Sequence, residues 1–398
     1  MTVRTFSALR PAPADAAAVA AVPYDVVDAA EAAALAAGNP KSFLHVSRPE
    51  IDLPQGTSPS SPEAYAQARK ALDALEASGT LFRDPVRRLY AYRQEADGHS
   101  QTGIVATFDT KEYLSGVLKQ HEKTRKDKED DRTRHIETLG AHTGPAFLAY
   151  RDDAEIDAAV EIACAAEPLY RFTAPDGVRH TVWTLADEGS AAERGIAARF
   201  AQVPCAYIAD GHHRSAAAAR YAAARGFEGE SRWFLAVAFP ASQLRILPYN
   251  RLVADLNGLT KYEFLSAVSQ RMDVGRRGER NCRMYLDGEW LDISWTLPSG
   301  AGPVASLDAT RLQEDLLSPV LGISDPRTSP RISFMGGSRG VAALSAKVDS
   351  GEAAVAFAME PVSVGEMMAI ADAGEIMPPK STWFEPKLRS GLFVHPVA

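Results

Sequence analysis

Val203-Pro204-Cys205-Ala206-Tyr207-Ile208-Ala209-Asp210-Gly211-His212-His213-Arg214-Ser215-Ala216-Ala217-Ala218-Ala219-Arg220 is the stretch on which the reading of this chain turns. Up to Ala209 it is an apolar run, the pattern of a short buried strand. From Ser215 onward, alanines interspersed with arginine are a strong helix signal. Between the two, Asp210, Gly211, His212, His213 and Arg214 leave no residues for a loop, so a strand must turn directly into a helix. Glycine at such a turn permits a left-handed backbone and the close approach of a ligand. The helix start offers N–H groups and a partial positive charge to an anion. The bend is therefore read as a phosphate-holding turn. Its plain structural alternative is a solvated histidine pair behind an Asp210 N-cap.

The bulk properties limit what the bend can serve. A length of 398 residues implies two or three domains. Hydrophobic content of 46% and charged content of 24% are those of a soluble globular protein. A formal net charge of −8 argues against a general nucleic-acid binder. No apolar run reaches the roughly 20 residues of a membrane span, and Met1 to Phe6 lack the layout of a signal peptide. Cys164, Cys205 and Cys282 show no metal spacing and leave an odd thiol, which points to a reducing cytoplasm.

Three regions are expected: 1–103 as an N-terminal α/β region, 104–254 as a core with an insertion, and 255–398 as a C-terminal α/β region. In the first, strands are expected at 6–11, 42–46 and 89–93, the last turning at Asp97-Gly98, and a strand or extended segment at 22–27. Helices are expected behind Asp15 and Asp28 and over 62–78, where Tyr65, Ala68, Leu72 and Leu75 share a face. In the second, charges of both signs interleave over 119–134 as in a solvated helix laced with i,i+4 pairs. A strand over 146–150, a helix over 156–166, a hairpin about Pro175-Asp176-Gly177 and a helix over 190–200 lead into the bend. The continuously apolar 233–240 reads as a strand buried on both faces. In the third region, helices over 261–271 and 308–317 alternate with strands about Asp287-Gly288 and over 331–335. Gly336-Gly337-Ser338-Arg339-Gly340 is a weaker phosphate-loop signal. The tail 377–391, dense in Lys, Arg, Trp and Pro, either packs at a domain boundary or reaches a site.

Five motifs together resemble a bacterial family of the DUF 1015 type. They are Val22-Pro23-Tyr24-Asp25-Val26-Val27, Arg48-Pro49-Glu50-Ile51-Asp52, His121-Glu122-Lys123-Thr124-Arg125, Asp210-Gly211-His212-His213-Arg214 and Pro378-Pro379-Lys380-Ser381-Thr382-Trp383-Phe384. Residues ~105–245 resemble, more distantly, the ParB/sulfiredoxin-like nucleotide-binding superfamily, in which a Gly-x-x-Arg turn at a helix start binds nucleotide phosphates. Sulfiredoxins carry Gly-Cys-His-Arg there and ParB proteins Gly-Glu-Arg-Arg. Free-serine kinases carry Asp-Gly-His-His-Arg together with an upstream His-Glu whose glutamate is implicated as base. Asp210 to Arg214 and His121-Glu122 match the kinase pattern, and the long insert between Arg151 and Gln202 departs from it. His212 in place of cysteine argues against sulfiredoxin redox chemistry, and the acidic balance argues against a DNA clamp.

The resemblance implies an α+β fold, with a ParB/sulfiredoxin-like core between N-terminal and C-terminal α/β extensions. It implies a nucleotide-dependent kinase acting on the hydroxyl of free L-serine or a related small alcohol. Gly211, His212, His213, Arg214 and Ser215 would bind ATP or ADP, and His212 and His213 would also donate to the moving phosphoryl group. Glu122 would be the base, and Asp210 would bind Mg²⁺ or orient a histidine. His121, Arg125, Lys380 and Trp383 are candidate substrate contacts. A nucleotide and a small molecule are the expected partners, with a homodimer left open. Two other readings stand beside this one: a nucleotide-binding regulator without catalysis, and a metal-dependent hydrolase using His121, Asp210, His212 and His213.

Overall fold

Tyr90 and Tyr92 are buried on Arg88–Ala96 and Ile104, Val105 and Phe108 on His99–Asp109, and between the two strands Asp97 and Gly98 take φ of 51° and 72°. Those values close a tight hairpin with the right strand twist. The computed structural model of the chain describes every residue except Glu279, Pro298 and Ala398. It divides into two compact units, one formed by 1–120, 124–244 and 386–398, the other by 121–123 and 245–385.

The hairpin is the middle of a nine-stranded mixed sheet in the first unit. In chain order its strands are β1 (Val3–Arg4), β2 (Arg88–Ala96), β3 (His99–Asp109), β4 (Leu118–Lys119) and β5 (Ala146–Tyr150). They continue as β6 (Tyr170–Thr173), β7 (Arg179–Asp187), β8 (Ala206–Asp210) and β9 (Trp233–Pro240). Side by side they run β4-β8-β5-β9-β3-β2-β7-β6, with β1 added along β3. The β8–β4 and β9–β5 pairs are parallel and the others antiparallel. Helices α1 (Pro62–Ala77), α2 (Lys126–Leu139), α3 (Ala154–Cys164), α4 (Ala191–Phe200) and α5 (His212–Ala224) belong to this unit. Ile156 and Val160 of α3 and Ile196 and Phe200 of α4 complete the apolar core over the sheet. Ile136 of α2 packs with Ala217 and Tyr221 of α5.

The second unit has a six-stranded sheet of its own. Its strands are β10 (Tyr249–Val253), β11 (Asp273–Val274), β12 (Arg280–Leu286), β13 (Glu289–Trp295), β14 (Ile332–Gly336) and β15 (Val355–Met359), ordered β11-β13-β12-β15-β10-β14. Phe264 and Val268 of the helix Lys261–Ser269 close its core together with Leu312, Leu316 and Leu321.

The fold is mixed α/β, as expected, with local departures that have physical causes. The expected region boundary at 103–104 falls inside β3, and β1 and β2 share a sheet with β5, β8 and β9. Residues 42–46 form no strand. They turn into the short helix Leu44–Ser47, from which Phe43, Leu44 and Val46 all reach the core, so burial overrides β-propensity. Residues 22–27 form a turn, with Val26 N–H donating to Pro23 O at 3.3 Å. Asp15 makes no side-chain cap, whereas Asp28 forms a full capping box with Glu31. The charged run becomes helical only at Lys126, and Arg132, Thr133 and His135 on that helix are buried. Its charges are therefore not all solvated.

The C-terminal strip returns to the first unit. Ser390 exchanges backbone hydrogen bonds with Ala21 (2.8 and 3.1 Å), and Val394 with Leu9 (2.9 Å each). Leu392, Phe393 and Val394 are buried. At Gly391, φ is 87° and an added Cβ would lie 2.7 Å from the Phe43 side chain. Gly391→Ala combines a left-handed backbone penalty with overpacking and is expected to destabilise the protein by about 2–4 kcal/mol. Urea denaturation measures it; a loss under ~1 kcal/mol would contradict this docking.

Candidate functional site

β8 is buried along Ala206 to Ala209, and its pairing with β5 slips between Ile208 and Asp210. Such a bulge re-aims the side chain that follows it, here the Asp210 carboxylate. Gly211 then takes φ 89° and ψ 31°, and the 13-residue α5 begins at His212. The strand, left-handed glycine and helix are the arrangement expected at the bend. The N–H groups of the first turn of α5 have no carbonyl of their own helix to reach. Ser215 is directed into the helix: its N–H and its hydroxyl both donate to Gly211 O, at 2.9 and 3.2 Å.

Asp210 is not a cap for α5. One carboxylate oxygen accepts from the Gly211 N–H at 2.7 Å, and the other pairs with Lys387 Nζ at 2.8 Å. Arg214 Nη2 stands 3.7 Å from the same carboxylate. Burial pushes this carboxyl up, but the charges of Lys387 and then Arg214, with the bonds from Lys387 and Gly211, outweigh it. They hold Asp210 well below the ordinary carboxylate range. The Arg214 guanidinium folds back over its own helix start and donates to Pro145 O. An added Cβ at Gly211 would lie 3.0 Å from Arg214 Nε, so a side chain there would shift the arginine in addition to straining the left-handed backbone.

A divalent cation does not fit at Asp210. Mg²⁺ needs oxygen ligands around it, and this carboxylate faces two cationic side chains instead. Among the described residues, no group of three or more His, Cys, Asp or Glu is gathered as a metal would require.

His212 is buried, and His213, half-buried, accepts through Nε2 from the Arg125 N–H at 3.1 Å. The Arg125 side chain turns to solvent and pairs with Asp127 at 2.8 Å. The remaining expected site residues lie in the second unit. His121 is buried, with Nε2 3.2 Å from Thr382 Oγ1 and its carbonyl accepting from Met377 N–H at 2.9 Å. Glu122 is half-buried on a non-helical segment. Trp383 lies against Gly336, where a Cβ would come within 2.8 Å of its ring, and its indole N–H donates to Glu385 at 2.7 Å. Lys380 is exposed with φ 56°, its ammonium 5.4 Å from the Tyr249 ring centroid.

Lys387 is the site residue missed by the sequence reading. It lies 177 residues from Asp210 in the chain, and the only signal for it was the density of functional groups in the tail. The strip that carries it is anchored on both sides. Gln94 Nε2 donates to Lys387 O at 2.8 Å, and Arg389 pairs with Asp176 and donates to His180 Nε2 at 3.1 Å. Burial, then the Arg389 charge, push His180 down to about 3, so it is neutral and free to accept.

Residues 3–310 match the family model described as "Protein of unknown function (DUF1015)". The chain belongs to that family. No curated protein matches it. Among solved structures, a conserved hypothetical protein from Pyrococcus furiosus is similar at 13% identity and a TM-score of 0.37, covering 73% of this chain and 95% of that one. A free serine kinase in complex with AMP is similar at 14% identity and a TM-score of 0.38, covering 73% and 91%. SbnI with C-terminal truncation from Staphylococcus aureus is similar at 14% identity and a TM-score of 0.42, covering 74% and 87%. Likenesses of this size fix neither a ligand nor a reaction for the DUF1015 chain. No helix among its described residues is long and apolar enough to cross a membrane.

Because the folded pKa of Asp210 is depressed, its ion pairs contribute stability above the unfolded carboxyl pKa of about 3.9. That contribution is lost as the pH falls toward the lower folded value. The stability gap between wild type and Asp210→Asn is therefore expected to be about 2–3 kcal/mol near pH 7 and to close in acid below about pH 3. Chemical denaturation across pH measures it. A gap that does not change with pH would contradict the assignment of Lys387 and Arg214 as its source.

Proposed function

We propose that the bend from Gly211 to Arg214 binds the phosphates of a nucleotide, and that the protein transfers a phosphoryl group to a small alcohol. The observation that carries this reading is the charge balance at the bend: one carboxylate, Asp210, faces both Lys387 and Arg214. These groups stand at the start of a 13-residue helix entered through a left-handed glycine. Helix-start N–H groups and cationic side chains are complementary to phosphate.

Phosphoryl transfer needs positioning, charge neutralisation and a base for the acceptor hydroxyl. The N–H groups of the first turn of α5 would hold the donor phosphates, and Lys387 would offset charge on them. Asp210 is a positioning residue that orders Lys387 and Arg214. Glu122 is assigned the base on its His121-Glu122 motif and would take the proton as the acceptor oxygen bonds to phosphorus and the nucleotide leaves. A free serine kinase is among the similar structures, in complexes with AMP and with ADP, so ATP, ADP and L-serine head the ligands to test.

The non-catalytic regulator has one observation in its favour, the fixing of Asp210 by Lys387, which leaves no carboxylate at the bend free for chemistry. A thermal-shift panel of AMP, ADP, ATP and CTP, followed by product analysis with L-serine and other small alcohols, separates the two readings. The kinase reading expects stabilisation by an adenine nucleotide and a phosphorylated product. Binding without product would favour the regulator, and no nucleotide binding would overturn both. Within the kinase reading, Glu122→Gln is expected to lower turnover by roughly 10²–10⁴-fold with nucleotide affinity nearly unchanged. Equal loss of both would remove Glu122 from the base role.

A further inference from the structure

Arg251 lies at the middle of β10 in the second unit, a charge where the strand pattern calls for an apolar side chain. Residues two apart on a strand share a face, and Val253 on the face of Arg251 is fully buried in the apolar core. Arg251 is itself only 4% exposed and stands in register between Phe334 of β14 and Phe357 of β15. We propose that Arg251 anchors a binding site in the second unit for the carboxylate of a small molecule. The proposal concerns that unit alone and does not rest on a nucleotide at the bend.

The missing counter-ion is the first argument. Among the described residues, no carboxylate forms an ion pair with Arg251. The carboxylates that follow these strands are committed elsewhere: Asp255, beyond β10, pairs with Arg331 at 2.5 Å, and Glu360, beyond β15, with Arg277 at 3.2 Å. Burial pushes the guanidinium down to about 10, opposed only in part by the Cys282 thiol and Tyr249, so it stays charged near pH 7. Its centre lies 5.7 Å from the Phe334 ring centroid, a contact that attracts a cation without neutralising it. Buried charges are costly unless paired, and a monoanion is the partner this one lacks.

Hydrogen bonding is the second argument. Nη1 donates to Tyr249 O, within the same strand. The Nε–H and Nη2–H edge has no acceptor among the described residues. Those two donors are spaced to meet both oxygens of one carboxylate. Buried polar groups are nearly always paired, so the open edge marks the place of an acceptor.

The surroundings are the third argument. Tyr249, two residues before Arg251, meets the Phe334 ring at 6.1 Å and 86° and the Trp383 ring at 5.2 Å and 90°. The Lys380 ammonium is 5.4 Å from the centroid of the same tyrosine, on a non-glycine residue with φ of 56°. Backbone in that region concentrates at ligand sites. Lys380 and Trp383, candidate substrate contacts in the sequence, and Arg251, which no motif marks, thus gather around one tyrosine. A single guanidinium framed by aromatic rings suits a monoanion with an organic body, whereas a dianionic phosphate would keep one charge unmatched.

The full chain, without nucleotide, is titrated by calorimetry and thermal shift with sodium acetate, D-glycerate and L-serine, against sodium chloride at matched ionic strength. Ethylene glycol and ethanolamine test similar skeletons without the carboxylate, and inorganic phosphate tests the other oxyanion. Arg251→Met removes the charge, and Arg251→Lys keeps it but loses the planar fork. Because the guanidinium has no counter-ion, ligand-free Arg251→Met is expected to melt no more than a few degrees below wild type. The site is supported by saturable stabilisation by carboxylates beyond that by chloride and absent with the two neutral-ended skeletons. Affinity is expected to weaken about tenfold or more in Arg251→Met and about threefold or more in Arg251→Lys. Stabilisation no greater than that by chloride, equal affinity in wild type and variants, or a response to phosphate alone would overturn the proposal. Should neither variant fold, amide exchange of the wild type decides: acetate that slows exchange over 249–253 and 332–336 supports the site, and unchanged exchange there overturns it.

Discussion

One carboxylate shared between two cations is the interaction on which the site depends. Asp210 faces both Lys387 and Arg214, and the bulge in β8 that aims it at them precedes a glycine whose left-handed backbone other residues adopt only with strain. The charge of this cluster is held partly out of water, where its interactions are stronger than on the surface. It is also fixed in place. Lys387 rides on a strip pinned through Gln94, His180 and Asp176, and Arg214 is pressed against Gly211 with its guanidinium bonded to Pro145 O. An anion arriving at this place meets groups that need little ordering, which is the condition for tight electrostatic recognition.

Arg214 folds back over the start of its own helix. A fully extended arginine at the start of α5 would point past the helix end toward a ligand, as the phosphate-turn pattern implies. Here the side chain lies over the turn, and its guanidinium donates to Pro145 O. The glycine at 211 therefore serves the protein's own side chain first. Phosphate binding at the bend then rests on the backbone N–H groups and Lys387 more than on the guanidinium.

Much of this was legible in the sequence because it is local. The change from an apolar run to an alanine-rich helix, with Gly211 between, requires only the two periodicities, and the strand, left-handed turn and helix follow it. The hairpins at Asp97-Gly98 and Asp176-Gly177 were legible for the same reason. What was not legible is set by distance along the chain or by burial. Lys387 reaches Asp210 across 177 residues, and the tail read as one stretch divides between the two units at 385–386. Interleaved charges over 119–134 suggested one helix, but His121 to Arg125 stay irregular, and Arg132 and His135 face inward because the opposite wall supplies Tyr24 and Val46 O. Composition cannot show which side of a charged helix another segment will cover.

Backbone amide hydrogen exchange, followed by mass spectrometry with and without an adenine nucleotide, tests the central claim most directly. If the bend holds nucleotide phosphates, AMP or ADP slows exchange of the amides of His212, His213 and Arg214 ahead of those elsewhere in the first unit. Unchanged exchange at those three amides under saturating nucleotide, with protection at another segment or at none, would contradict the account.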